Sequence, residues 1–198
     1  MKKIKEILIG TNNPGKYKEI CALLPKKIKK HSLNEFKILT PKETGKSFKE
    51  NSLIKASYFS KKTNLICLSD DSGLEIDLLD GAPGVYSSRW SGKKKNFDLT
   101  IKKIFNEMNK KRKNWTKVSN ARFVSCITLY WPSGENFSSQ GIVNGKISPQ
   151  KKGTNGFGYD PIFVPSGYKK TFGEMNIKLK MSIDHRFKAF KKINFFFI

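Results

Sequence analysis

Four consecutive apolar residues, Leu65-Ile66-Cys67-Leu68, are followed after one serine by paired acids, Asp70 and Asp71, and then by Ser72 and Gly73. A continuous apolar run of this length reads as a buried strand. Beyond it, Leu74, Ile76 and Leu78 alternate with Glu75 and Asp77, which predicts a further strand with one wet face. Carboxylates directly after a buried strand sit at its carboxyl end, where α/β proteins place ligands. Successive strand residues point to opposite faces, so one of the two acids is expected to face a site. An acidic turn without a ligand is the alternative for this stretch taken alone.

The chain around this segment alternates strands with helices. Ile4 to Ile9 reads as a short strand, and Gly10 to Lys16 as a turn-rich loop. Tyr17, Ile20, Cys21 and Leu24 recur at helical spacing, with Pro14 in the first turn and Pro25 as the stop. Phe36 and Ile38 flank Lys37 in an expected second strand ended by Pro41. Ser47 and Glu50 make a capping box that opens a helix running to about Lys62. Phe97, Ile101, Ile104, Phe105 and Met108 form the apolar face of a helix over 97–111. Phe123 to Trp131 predicts a long strand, which Gly134-Glu135 turns into a partner near Phe137 to Val143. Ile162-Phe163-Val164 reads as another apolar strand, and Thr171 with Glu174 as a second capping box. Asp184 is expected to cap a last helix with Phe187, Phe190 and Ile193 inward. The pattern is that of an α/β protein with a mixed sheet, organised as a single domain over 1–198.

Composition narrows the function classes. The 198 residues carry a formal charge of +23, yet only four of the 39 basic residues are arginine: Arg89, Arg112, Arg122 and Arg186. Arginine supplies most bidentate base and phosphate readout. A lysine-rich, arginine-poor chain is therefore read as drifted in composition, with general steering of anions, and no specific nucleic-acid partner is expected. A dedicated nucleic-acid-binding protein is the competing reading of the same charge. No apolar run approaches the ~20 residues needed to cross a bilayer. No signal peptide is read at the basic N-terminus, so no membrane partner and a cytoplasmic location are expected. Cys21, Cys67 and Cys126 lie far apart among apolar residues and read as buried free thiols.

Several segments are suited to chemistry. The loop Gly10 to Lys16 joins a strand to a helix, where backbone N–H groups attract phosphate, and Lys16 adds an ammonium. It lacks the P-loop spacing, because Tyr17 follows Lys16. Asp70 and Asp71 offer hard oxygens, and Mg²⁺ takes one or two carboxylates plus phosphates. Glu43 lies between the second expected strand and the capped helix. Asn51 and Lys55 stand one helical turn apart and share a face. Gly153 to Pro161 is glycine-dense but holds Phe157 and Tyr159, and an aromatic in such a frame stacks on a base or fills a core notch. Asp184-His185-Arg186, with Lys180, gathers hydrogen-bond donors at a helix start.

Together these segments resemble the inosine triphosphate pyrophosphatase family, also described as XTP/dITP pyrophosphatases. The resemblance spans about Gly10 to Lys192 in the family's order. It runs through Thr11-Asn12-Asn13-Pro14-Gly15-Lys16 with Glu19, Glu43-Thr44-Gly45, Ser47 to Asn51 with Lys55-Ala56, and Asp70 to Leu74. It continues through Gly81 to Ser87 with Arg89, Gly156 to Pro161, Lys180 and His185-Arg186.

The resemblance implies Mg²⁺-dependent hydrolysis of ITP, dITP and XTP to monophosphate and pyrophosphate, removing deaminated purines from the nucleotide pool. It implies a homodimer of subunits with an elongated, twisted mixed sheet flanked by helices, and two lobes around a central substrate cleft. It places the triphosphate on Thr11, Asn12, Asn13, Pro14, Gly15 and Lys16, the last also catalytic. Glu43 and Asp71 would ligate Mg²⁺, with Asp71 as general base. Ser72 would touch the phosphates, with Lys55 a further contact. Phe157 would stack on the base, Gly158, Tyr159 and Asp160 would shape its pocket, and Lys180, His185 and Arg186 would face the purine edge. One departure stands out: Asp184 occupies the position before His-Arg where the family has serine. Both residues cap helices well, but the added carboxylate keeps a changed substrate preference in play.

Overall fold

The structure is a computed structural model that describes residues 4–90, 92 and 96–198. Six strands form one mixed sheet in the order β2-β1-β3-β4-β5-β6. They are β1 (Glu6–Ile9), β2 (Lys29–Ser32), β3 (Cys67–Ile76), β4 (Asn120–Tyr130), β5 (Asn136–Ile147) and β6 (Phe163–Pro165). The helices are α1 (Pro14–Leu23), α2 (Phe48–Thr63), α3 (Ser87–Trp90), α4 (Phe97–Lys111), α5 (Ile177–Ile183) and α6 (His185–Lys191). β1 pairs in parallel with both β2 and β3, and β5 pairs antiparallel with β6. Among the described residues no helix is long and apolar enough to cross a membrane.

The chain divides into two compact units. The first comprises Met1–Asp71, Ser125–Gly141 and His185–Ile198. Here β1 is buried on both faces, as a central parallel strand must be. Ile7 and Ile9 enter one apolar cluster with Leu68 of β3, Ile20 of α1 and Phe190 of α6. Leu8 points the other way, to Cys67 of β3 and Phe59 of α2. This parity sets the whole unit: even positions of β3 face α1 and α6, and odd positions face α2. Phe59 is fully buried, and truncating it to alanine should cost about 3–5 kcal/mol.

The second unit comprises Ser72–Val124 and Ile142–Asp184. Ile101, Ile104 and Met108 of α4 pack on Leu74 and Ile76 of β3, with Phe123, Phe163 and Phe172. Asn96 caps α4 by accepting the Leu99 N–H.

Three expectations change. No strand forms at Phe36 to Ile38. Lys37 takes a left-handed backbone (φ 51°), and Phe36 and Ile38 pack as a turn against the Leu33 cluster. The second strand is instead β2, the polar Lys29–Ser32, an edge strand whose His31 lies between Glu6 and Glu35. Asp70 to Gly73 is not a strand end or a turn, because β3 runs unbroken from Cys67 to Ile76. Thr171 and Glu174 do exchange capping-box hydrogen bonds, but they close a turn, and α5 starts only at Ile177 with Asn176 as its cap. The apolar C-terminus divides in its packing. Phe197 is buried and stacks on Phe190, whereas Phe195 is mostly exposed beside Phe137.

Candidate active site

The candidate residues fall in both units, and each group is built within its own. In the first unit, Gly10 seats the loop that leads into α1. A Cβ there would collide with the Ser69 hydroxyl, the Cys67 thiol and the Phe59 ring, so only glycine lets the backbone lie this close to β3. Ser69 Oγ donates to the Gly10 carbonyl at 3.0 Å. Thr11 Oγ1 then accepts the Asn13 N–H, and Asn12 Nδ2 donates to Thr40 Oγ1. Asn13 caps α1, its Oδ1 accepting from Gly15 N at 2.9 Å and Lys16 N at 3.2 Å, with Pro14 in the first turn. In this structure the Gly15 and Lys16 N–H groups of the expected phosphate loop bond to Asn13. The loop also carries the Lys16 ammonium.

That ammonium lies 3.5 Å from Asp70 Oδ1. Arg186, at the start of α6 and 1% exposed, donates from Nε to Asp70 Oδ2 at 2.7 Å and from Nη1 to Glu19 Oε2. Burial alone would raise the Asp70 carboxyl, but the Arg186 guanidinium, then Lys16 and Lys55, outweigh it and hold it well below the usual carboxylate range. Burial pushes the Lys16 ammonium below its ordinary value, against the pull of Asp70.

Asp71 points to the opposite face, toward α2. Lys55 Nζ donates to Asp71 Oδ1 at 3.2 Å and to Glu43 Oε1 at 2.6 Å. Burial raises the Asp71 carboxyl above its ordinary range, with Lys55 opposing and Glu43 adding to the rise. For Lys55, burial acts downward, but Asp71 and Glu43 outweigh it and the ammonium is raised. Asp71 Oδ2 is buried and has no hydrogen-bond partner among the described residues. Glu43 is placed by its neighbour Gly45, whose N–H donates to Asn51 Oδ1 of α2 at 2.8 Å. A Cβ on Gly45 would lie 2.6 Å from Glu50 Cβ and 2.7 Å from Asn51 Oδ1, so this clamp requires glycine. Asn51 and Lys55 share a helix face, as their spacing predicts. One holds the loop and the other holds its carboxylate.

The first unit thus gathers three cations, Lys16, Lys55 and Arg186, and four carboxylates, Glu19, Glu43, Asp70 and Asp71. These seven groups alone sum to a formal charge of −1. Among the described residues no three His, Cys, Asp or Glu side chains converge as a metal nest. The Glu43–Asp71 pair, with one buried oxygen unsatisfied, nevertheless fits an ion that takes one or two carboxylates and completes its shell with phosphate and water oxygens.

In the second unit, Asp160 Oδ2 accepts both the Phe157 N–H and the Lys180 ammonium, each at 2.8 Å. Lys180, only 2% exposed, sits 5.1 Å from the Phe157 ring centroid. Tyr159 donates from its hydroxyl to the Ser87 carbonyl, and burial raises its phenol. Gly158 has a positive φ, and a Cβ there would come into ordinary contact with the Phe97 ring. Ser72 follows Asp71 in β3 and is half-buried; His185 opens α6 and is buried. Phe157, Gly158, Tyr159, Asp160 and Lys180 are thus brought together in one unit, and Lys16, Glu43, Lys55, Asp71 and Arg186 in the other. Glu19 has no role in the sequence reading, and Asp70 enters there only as an oxygen donor for Mg²⁺; the structure makes them the two carboxylates that fix Arg186. The available signal for Glu19 was its place three residues after Lys16, on the same face of α1.

A mixed-sheet α/β protein with a buried and a half-buried carboxylate bridged by an ammonium is the class that fold and site define. A family model described as the Ham1 family matches residues 7–196, and the chain belongs to that family. A dITP/XTP pyrophosphatase from Christiangramia forsetii is 41% identical over 189 residues, covering 95% of this chain and 96% of that protein. One from Caulobacter vibrioides is 39% identical over 188 residues, covering 95% of each. The solved structure of a HAM1 protein from Coxiella burnetii matches with a TM-score of 0.86 at 34% identity, covering 96% of each chain.

Proposed function

We propose that this chain is a nucleoside triphosphate pyrophosphatase acting on dITP, XTP and ITP, with Mg²⁺ as cofactor. The observation that carries the reading is the Glu43–Lys55–Asp71 arrangement with its unsatisfied Asp71 Oδ2, in a chain about 40% identical over its length to proteins named dITP/XTP pyrophosphatase. In this reaction water attacks the α-phosphorus, the bond to the bridging α,β oxygen breaks, and pyrophosphate leaves. Bound Mg²⁺ supplies charge neutralisation of the phosphates and activation of water.

Asp71 takes the proton of the attacking water. Its raised pKa strengthens it as a base. Lys16 and Lys55 bind phosphate oxygens, aided by Ser72 and the loop residues Thr11, Asn12, Asn13, Pro14 and Gly15. Phe157 stacks on the purine. Gly158, Tyr159 and Asp160 hold that ring in place, and Lys180, His185 and Arg186 donate to the base edge. Hypoxanthine and xanthine present a 6-oxo acceptor, whereas adenine presents a 6-amino donor that meets these donors unfavourably. Sites built on specific hydrogen bonds discriminate by up to ~10⁴–10⁵. Removal of deaminated purine nucleotides in the cytoplasm, by a homodimer, completes the reading; light scattering tests the assembly. The direct test is pyrophosphate release from dITP, XTP, dGTP and dATP side by side. The reading requires fast release from the first two and slow release from dATP.

A further inference from the structure

Lys55 does two things at once: it neutralises two carboxylates and occupies the space between them. Its Nζ lies 2.6 Å from Glu43 Oε1 and 3.2 Å from Asp71 Oδ1, and the residue is 6% exposed. Two carboxylates sharing a site repel each other unless a cation stands between them. A buried ammonium, in turn, is costly to strip of its anions. The bridge is nevertheless incomplete, because Asp71 Oδ2 has no hydrogen-bond partner among the described residues. One ammonium does not saturate the donor set that it holds together.

We propose that Lys55 is a tethered counter-cation. It holds Glu43 and Asp71 in place before the divalent ion arrives, competes with that ion for their oxygens, and turns to a phosphate oxygen when metal and nucleotide enter together. The inference rests on the pyrophosphatase reading, which brings metal and triphosphate to these residues.

Two consequences follow from the geometry. Metal alone binds weakly, because it must displace the ammonium from Glu43 Oε1 and Asp71 Oδ1 and leave it unpaired. The triphosphate offers that ammonium a replacement anion, so nucleotide and metal bind with positive coupling, each tightening the other by the same factor. The clamp from Gly45 N–H to Asn51 Oδ1 keeps the Glu43 loop from drifting while the exchange takes place.

The test is calorimetric titration of the free full-length protein with Mn²⁺, an ion of the same oxygen preference. It uses wild type, Lys55→Gln and Lys55→Arg. Lys55→Gln should bind Mn²⁺ about tenfold tighter or more without nucleotide, whereas Lys55→Arg keeps the weak wild-type affinity. Equal or weaker binding by Lys55→Gln overturns the proposal. A second measurement needs no variant. Amine acylation of wild-type Lys55, read by mass spectrometry, should rise when Mn²⁺ is brought to saturation. Unchanged labelling at saturating Mn²⁺ also overturns it. Pyrophosphate release from dITP by wild type judges the underlying reading separately, since that assay does not depend on which group occupies the carboxylates in the free protein.

Discussion

Asp70 and Asp71 are neighbours on one strand, yet they meet opposite surroundings. Asp70 faces α1 and α6, where Arg186 and Lys16 engage both of its oxygens and hold its carboxyl far below the ordinary range. Asp71 faces α2, where one ammonium reaches one oxygen, the other is unsatisfied, and the carboxyl is raised. The strand's alternation, not the residue type, divides the labour. A fully paired carboxylate is a fixed anchor with little capacity to bind anything new. A half-paired, buried carboxylate with a raised pKa is one that can take a metal ion or a proton.

The largest effect that tests this contrast is on turnover. Asp71→Asn should lower pyrophosphate release by ~10²–10⁴ while leaving the protein at least as stable as wild type. The substitution removes a buried charge that has only one partner. The stability gain should be greatest at neutral pH and shrink as pH falls through the raised Asp71 pKa, because wild-type Asp71 then protonates as well. Near-normal turnover would remove Asp71 from its role.

Asp70→Asn should do the reverse to stability. It strips Arg186 and Lys16 of a buried counter-ion and should cost about 3–5 kcal/mol in urea denaturation. Asp70 has a lowered folded pKa, so its contribution is present above the unfolded carboxylate value near 4 and is lost as pH falls below it. An Asp70→Asn protein as stable as wild type at pH 7 would break the contrast.

A smaller effect is expected at Gly45. Gly45→Ala forces a Cβ against Glu50 and Asn51 and should cost about 1–3 kcal/mol. It should also raise the Mg²⁺ concentration needed for half-maximal activity, since Glu43 is displaced with the loop. An unchanged Mg²⁺ requirement would show that the clamp does not position Glu43.

The smallest effect lies at the sheet edge. His31 bonds Glu35 at 2.8 Å and Glu6 at 3.0 Å, and its pKa is raised, chiefly by the Glu35 hydrogen bond. Its stabilisation is present below the unfolded value near 6.5 and lost as pH rises through the higher folded value. His31→Gln should cost under about 1 kcal/mol at pH 6 and flatten the decline of the urea midpoint between pH 6 and pH 9.

Elements with a strong period were legible in the sequence. The 97–111 helix, the capped helix from Phe48 and the Pro14-initiated helix all form where their apolar spacing and caps place them. β2 was not legible, because an edge strand reading Lys-Lys-His-Ser carries no apolar alternation and is held by backbone pairing to β1. The unbroken course of β3 through Asp70 and Asp71 was hidden for a related reason. Charges within a buried strand look like a turn until their partners are known, and those partners come from α1, α2 and α6. Alternation foretold that the two acids would part, but not which faced what. Arg186 meets Asp70 across 116 residues of chain and Glu19 across 167, separations at which local pattern carries no signal.

The measurement that bears most directly on the central claim is pyrophosphate release from dITP with Mg²⁺, comparing wild type with Asp71→Asn and using dATP as the control nucleotide. Rapid release from dITP by wild type, little from dATP, and a loss of at least a hundredfold in a folded Asp71→Asn protein is the predicted result. Release by Asp71→Asn at the wild-type rate, or no release from dITP by folded wild type, would contradict it.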